Sequence, residues 1–160
     1  METSISAKLL ELGFESGKPI IPIANYVQTK ILRCSLFVSG QLPVKNGELI
    51  YKGKIGQDLT IEEGKEAAKL CAINVLNQII LAIDDDLQKI KSCIKLEVFV
   101  NCDGTFERHS EIANGASDIL IQVLGERGKH VRVAIGVSSL PLNSAVEVTA
   151  IFEINNEKGE

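Results

Sequence analysis

The sequence predicts an α+β domain, a sheet with two long helices packed on one face. Segments 59–83 and 106–124 repeat apolar residues at spacings of three and four, the period of a helix. Segments 93–100, 131–137 and 146–154 alternate with the period of a strand. The order, strand-rich then helix, strand, helix, strand, strand, fits helices segregated to one side of a sheet. The other side then needs cover, so an oligomer is expected.

Along the chain, residues 4–12 predict a short helix. Ser4 or Ser6 can cap it, Leu9, Leu10 and Leu12 give it an apolar stripe, and Gly13 can end it. Pro19 and Pro22 impose an extended path through Ile20, Ile21 and Ile23. Strand signals follow at 30–34 and 35–39, and 43–56 reads as a loop whose tightest turn is Asn46-Gly47. Thr60 and Glu63 form a capping box at the head of the first long helix. Ala67, Ala68, Cys71, Ala72, Val75, Leu76, Ile79 and Ile80 are its apolar face, small at the start, so the helix can approach the sheet closely. Asp84 to Asp86 read as a solvated acidic loop. Ile112, Ala116, Ile119, Leu120 and Val123 are the buried stripe of the second helix, and Gly125 is its stop. The strands at 131–137 and 146–154 are joined by a loop of a length that suits an antiparallel pair. Residues 155–160 read as a polar tail.

The 160 residues suit one domain, 1–160, large enough to bury a core without disulfides or metals. Aromatics are 4% of the chain, so the core must be Ile, Leu, Val and Ala. The net charge of −4 counts against nucleic acid as a partner, since backbone binding needs clustered Lys and Arg. Cys34, Cys71, Cys93 and Cys102 form no C-x-x-C pair, and no His stands at metal-ligand spacing to them. Reduced structural thiols are the reading. Cys102 falls in a turn, where exposure is expected, with no base nearby in sequence. Glu2 stands where a signal peptide would be basic, and no apolar run is long enough for a membrane span. A cytoplasmic protein without metal, cofactor or membrane partner is expected.

Arg132 is the first candidate for chemistry. Its neighbours on the same side of the strand are Ala134 and Gly136, which leave open space for a planar group to dock on the guanidinium, as a carboxylate does. An ion pair is the commoner role for such an arginine. Glu147 could polarise a water, or form a salt bridge with Arg132 or a lysine. Tyr26, one of two tyrosines, offers a ring and a hydroxyl in a loop, with plain packing as the alternative. His130 shares the side-chain parity of Arg132 if the strand begins early. A lone His is more often structural and is given no catalytic role. No phosphate loop and no Ser-His-Asp spacing is found.

The run Arg132-Val-Ala-Ile-Gly-Val-Ser-Ser-Leu-Pro141, followed by Val146-Glu147-Val148 and Ala150-Ile151, resembles the C-terminal signature of the RidA/YjgF family, R-x-x-x-x-V-x-x-L-P then [VI]-E-[VI]-x-A-I. Tyr26-Val27-Gln28, Leu36 to Pro43, the Ala-rich helix and Val98-Phe99-Val100 match in order upstream. The resemblance implies a chorismate-mutase-like mixed sheet, two long helices on one face, and a homotrimer with clefts between subunits. It implies metal-free hydrolysis of small 2-imino or enamino acids to 2-oxo acids and ammonia, like a 2-iminobutanoate/2-iminopropanoate deaminase. Arg132 would hold the substrate carboxylate and Glu147 would help place the water. Tyr26, Ser39 and Gly40 would line the cleft, with Ser110, Asn114, Ala134 and Pro141 also placed at the ligand. The alternative is a small-carboxylate-binding or regulatory trimer without turnover. Family members described as ribonucleases and translation inhibitors supply a third reading. Several positions depart from the best-studied branch. Ala24-Asn25 replaces Gly-Pro, Ser110 aligns with a ligand-binding Asn, Ala134 replaces a Cys, and Gly136 replaces a bulkier, often acidic residue. The chain resembles a divergent subgroup.

Overall fold

The computed structural model describes residues 4–16 and 24–155. The extended path expected at 19–23 and all of the tail but Asn155 lie outside the described residues. Three helices, α1 (Ile5–Glu11), α2 (Ile61–Ala82) and α3 (His109–Leu124), accompany strands β1 (Thr29–Leu32), β2 (Ser35–Gln41), β5 (Ile90–Asn101), β6 (Val131–Val137) and β7 (Val146–Ile154). The segment expected as loop holds a small hairpin, β3 (Val44–Lys45) and β4 (Glu48–Leu49), turning at Asn46 and Gly47, both with positive φ.

Local chemistry sets the helix starts. The Ser4 hydroxyl accepts from the Ala7 N–H and caps α1. The Thr60 hydroxyl accepts from the Glu63 N–H, and the Glu63 carboxylate accepts from the Thr60 N–H, closing the box expected for α2. The second long helix starts at His109, not Phe106, and its cap position, Arg108, makes no side-chain capping bond. Small residues bring α2 and α3 together: a Cβ on Gly115 would lie 2.1 Å from the Lys65 carbonyl oxygen. No helix among the described residues is long and apolar enough to cross a membrane.

The sheet order is β1-β2-β7-β5-β6. The final two strands are therefore not neighbours, contrary to the antiparallel pair expected from their loop. Strand β5 lies between them, antiparallel to β7 and parallel to β6. The cause is the α3 crossover, which returns the chain beside β5 in the same direction. The β6–β7 loop then crosses the end of β5, where the Asn101 N–H donates to the Ala145 carbonyl and the Asn101 side-chain amide to that of Ser144.

Register divides the side chains between two faces. Leu96, Val98 and Val100 pair with Arg132, Ala134 and Gly136 on β6 and with Ala150, Val148 and Val146 on β7. This face packs under α2 and α3, and the core lies there. Phe99 pairs with Ile135 and Glu147, Glu97 with Val133 and Thr149, and Phe37 with Ile151, on the other face. That face has no cover among the described residues: Val131 is 66% and Ile135 43% exposed. The β6 valines and isoleucine thus point away from the core, and the alternate positions point into it. Cys34, read as a small hydrophobe, is exposed.

Candidate active site

Arg132 projects from the edge strand on the helix side and folds against α3. Its Nη1 donates to Asn114 Oδ1 at 2.9 Å and to Ser117 Oγ at 3.0 Å, and its Nη2 donates to the Ser110 carbonyl at 3.4 Å. All three acceptors are uncharged, and no carboxylate pairs with the guanidinium among the described residues. Nε–H and one Nη2 hydrogen are left over, enough for a carboxylate held by two bonds. Asn114 and Ser110 thus hold the arginine itself.

The space beside Arg132 is not empty as its small neighbours suggested. Ala134 packs on the core. A Cβ on Gly136 would lie 2.6 Å from His109 Nε2 and 2.7 Å from Cys102 Sγ, so these two fill the gap. Their polar atoms are 3.5 Å apart, and the Phe106 ring stands edge-on to His109. Cys102 is buried, at 4% exposure, with a histidine at hand, which corrects both expectations for it. Burial is the first cause that pushes its thiol pKa up, with Asp103 adding to it, so the thiol stays protonated.

The second group lies on the open face. Residues 39–40 form a bulge in β2, because Val38 pairs with Ala150 but Gln41 with Val148. A Cβ on Gly40 would lie 2.0 Å from Glu147 Oε1, so only glycine leaves that carboxylate its place. The Glu147 carboxylate has no hydrogen-bond partner among the described residues, and burial raises its pKa from the usual carboxylate value. The Ser39 hydroxyl donates to the Val27 carbonyl at 2.6 Å and its N–H to the Gln28 carbonyl at 2.8 Å. Buried Gln41 donates to Gln28 Oε1 at 2.7 Å. These bonds tie the segment carrying Tyr26 onto β2. Asn25, Tyr26, Val27, Lys30, Phe37, Val38 and Ser39 line an open cleft of about 560 Å³.

Arg132 and Glu147 therefore stand on opposite faces of the sheet, and no ion pair joins them within the chain. Tyr26 and Ser39 line one cleft, and Gly40, next to Ser39 in β2, meets Glu147. Arg132, Ser110, Asn114 and Ala134 come together elsewhere. Pro141 is exposed and opens the 3-10 turn Pro141–Asn143 beyond the far end of β6 from Arg132. Sequence reasoning missed Ser117, His109 and the bonds of Gln28 and Gln41. Ser117 stands three residues after Asn114, the spacing that shares a helix face, and that was its one signal.

A mixed sheet with a β5-α3-β6 crossover and this pair of residue clusters defines a class that comparison identifies. Residues 6–154 match the YjgF/chorismate mutase-like family, whose description adds a provisional endoribonuclease activity. The chain belongs to that family, and its fold is the chorismate-mutase-like α+β fold. It is 42% identical over 153 residues to protein TCP17 of Trypanosoma cruzi, covering 95% of each chain. The solved structure of Atu1372 from Agrobacterium tumefaciens, a protein of unknown function, is 42% identical, with a TM-score of 0.87 over 96% of this chain and 95% of that one. A Shewanella oneidensis protein assigned provisionally to the endoribonucleases is 31% identical, with a TM-score of 0.90 over 94% and 99%.

Proposed function

We propose that the protein hydrolyses small 2-imino or enamino acids to 2-oxo acids and ammonia, in clefts between the subunits of a homotrimer. The observation that carries this reading is Arg132: a guanidinium held by three neutral acceptors, with no counter-charge among the described residues and with donors to spare. Such a group lacks only an anion. The uncovered apolar face supports association. A second copy could set the Glu147 cluster of one subunit against the Arg132 edge of the next.

The chemistry asks little of the protein. The substrate carboxylate docks on Arg132, and its C=N carbon is already electrophilic. Glu147 takes a proton from water as the oxygen attacks and passes it to the nitrogen, giving a carbinolamine. It then takes the hydroxyl proton and passes it to the nitrogen, which leaves as ammonia as the C–O bond becomes a carbonyl, and the carboxylate of Glu147 is restored. Water supplies the oxygen, and nothing is oxidised or reduced. Positioning and one poised base suffice. The raised pKa of Glu147 fits a proton carrier, and turnover should rise as pH climbs through it.

The test is the decay of a 2-imino acid generated by an amino-acid oxidase, followed by ammonia and 2-oxo acid release. Wild-type protein should accelerate it, and Arg132→Ala should cut the rate by about 100-fold or more. Imine decay at the buffer rate with wild-type protein would overturn the reading. If 2-oxo acid still bound through Arg132 in that case, a binding protein without turnover would replace it.

A further inference from the structure

The bonds that hold Arg132 continue past Ser117. Ser117, buried on α3, lies 2.9 Å from His130 Nε2, and His130 Nδ1 lies 2.6 Å from the Gly128 carbonyl. The direction of each bond follows from what the groups can do. A carbonyl only accepts, so His130 Nδ1 carries a hydrogen. Arginine only donates, so Ser117 Oγ accepts from Arg132. The serine hydrogen is then free for Nε2, which in the neutral Nδ1–H tautomer is an acceptor. The chain reads Arg132 to Ser117 to His130 to Gly128, every donor meeting an acceptor. The other neutral tautomer would set Nδ1, an acceptor, against a carbonyl oxygen at 2.6 Å.

We propose that His130, acting through Ser117, is a positioning residue that fixes the Arg132 guanidinium for a carboxylate ligand. The inference rests on the carboxylate-anchor reading above and adds what holds the anchor. A serine whose hydrogen is already donated is a better acceptor for the guanidinium, and it cannot turn away without breaking its bond to the imidazole. The relay keeps the arginine against α3 while its leftover donors stay available. Without it, Arg132 would have to give up rotamer freedom at the moment of binding, which weakens affinity.

The test has a spectroscopic arm and a binding arm. Nitrogen-15 side-chain NMR should show His130 as the Nδ1–H tautomer in wild-type protein. In Ser117→Ala the Gly128 carbonyl still holds Nδ1–H, so the tautomer should persist while the Nε2 resonance moves on losing the serine hydrogen. In titrations with 2-oxobutanoate, His130→Leu and Ser117→Ala should each weaken binding about tenfold. The double variant should be no weaker than either single one, because both break one chain. His130→Gln, whose amide oxygen can accept from Ser117, should bind within about threefold of wild type, and it keeps the test open if His130→Leu does not fold. In the imine assay the loss should fall on KM with kcat changed less. Wild-type affinity in His130→Leu and Ser117→Ala, or an Nε2–H tautomer in wild type, would overturn the relay and leave the deaminase reading standing. Loss of turnover with these binding effects intact would sink the deaminase reading and keep the relay. Wild-type protein that binds no 2-oxobutanoate would remove the anchor and the relay together.

Discussion

Leu96, Val98 and Val100 on one face of β5 are fully buried under the helices, whereas Val131, Val133 and Ile135, facing the other way on β6, are 66%, 37% and 43% exposed. The residue types are alike, so burial here is not decided by apolar character. It is decided by what the chain has available to lay on each face. Two long helices suffice for one. The other has no helix laid on it among the described residues. The candidate chemistry divides along the same line: Arg132, held by α3, belongs to the covered side, and Glu147, whose carboxylate has no partner among the described residues and is partly desolvated, belongs to the open one. A group that is held tightly and charged, and one that is charged at a cost, are complementary only if they meet across a subunit boundary.

The difference can be attacked first from the covered side. Gly115→Ala places a Cβ against the Lys65 carbonyl, which is backbone and cannot move without parting α2 from α3. A loss of about 3 kcal/mol is expected, read as a lower urea midpoint. An unchanged midpoint would mean the helix crossing is looser than described. On the open face, Ile135→Asp should leave the fold intact, since the side chain is uncovered, and yield monomers by sedimentation without imine turnover. Monomers that turn over at the wild-type rate would place the whole site in one chain.

Smaller effects sharpen the position of Glu147. In Gly40→Ala the new Cβ meets a side chain that can swing away, so stability should fall by about 1 kcal/mol or less while turnover falls by about tenfold. Equal losses would make Gly40 merely structural. The smallest effect is that of Glu147→Gln on stability. Its folded pKa lies above the unfolded value, so the protonated form favours the fold and the ionised form opposes it. The penalty is absent in acid and appears as pH rises through the raised pKa. Glu147→Gln should therefore be more stable than wild type at neutral pH, with the gain shrinking as pH falls toward the usual carboxylate range. A loss at pH 7 would mean the carboxylate has a partner.

The sequence made some of this legible and hid the rest for definable reasons. The Thr60–Glu63 box and the Ser4 cap are local hydrogen bonds between residues three apart, and both stand as expected. Alternation showed that 131–137 and 146–154 are strands, but it carries no information on which strand each one pairs with, so the intervening β5 was missed. Parity placed Arg132, Ala134 and Gly136 together, yet it could not say that their side faces the helices, because the opposite side is the more apolar. The split of Arg132 from Glu147 was hidden for the same reason: it depends on register across three strands. His130 had the right parity, and its meaning waited on Ser117, which only the packing of α3 on the sheet brings within reach.

The central claim is that one active site takes Arg132 from one subunit and Glu147 from another. The most direct measurement mixes Arg132→Ala and Glu147→Gln subunits, each inactive alone, by co-expression or by unfolding and reassembly, and follows imine hydrolysis. In a cyclic trimer mixed at random in equal parts, about a quarter of the interfaces pair an intact Arg132 with an intact Glu147, and about a quarter of wild-type activity should return. No recovery in mixed trimers, with both variants folded and assembled, would contradict the account.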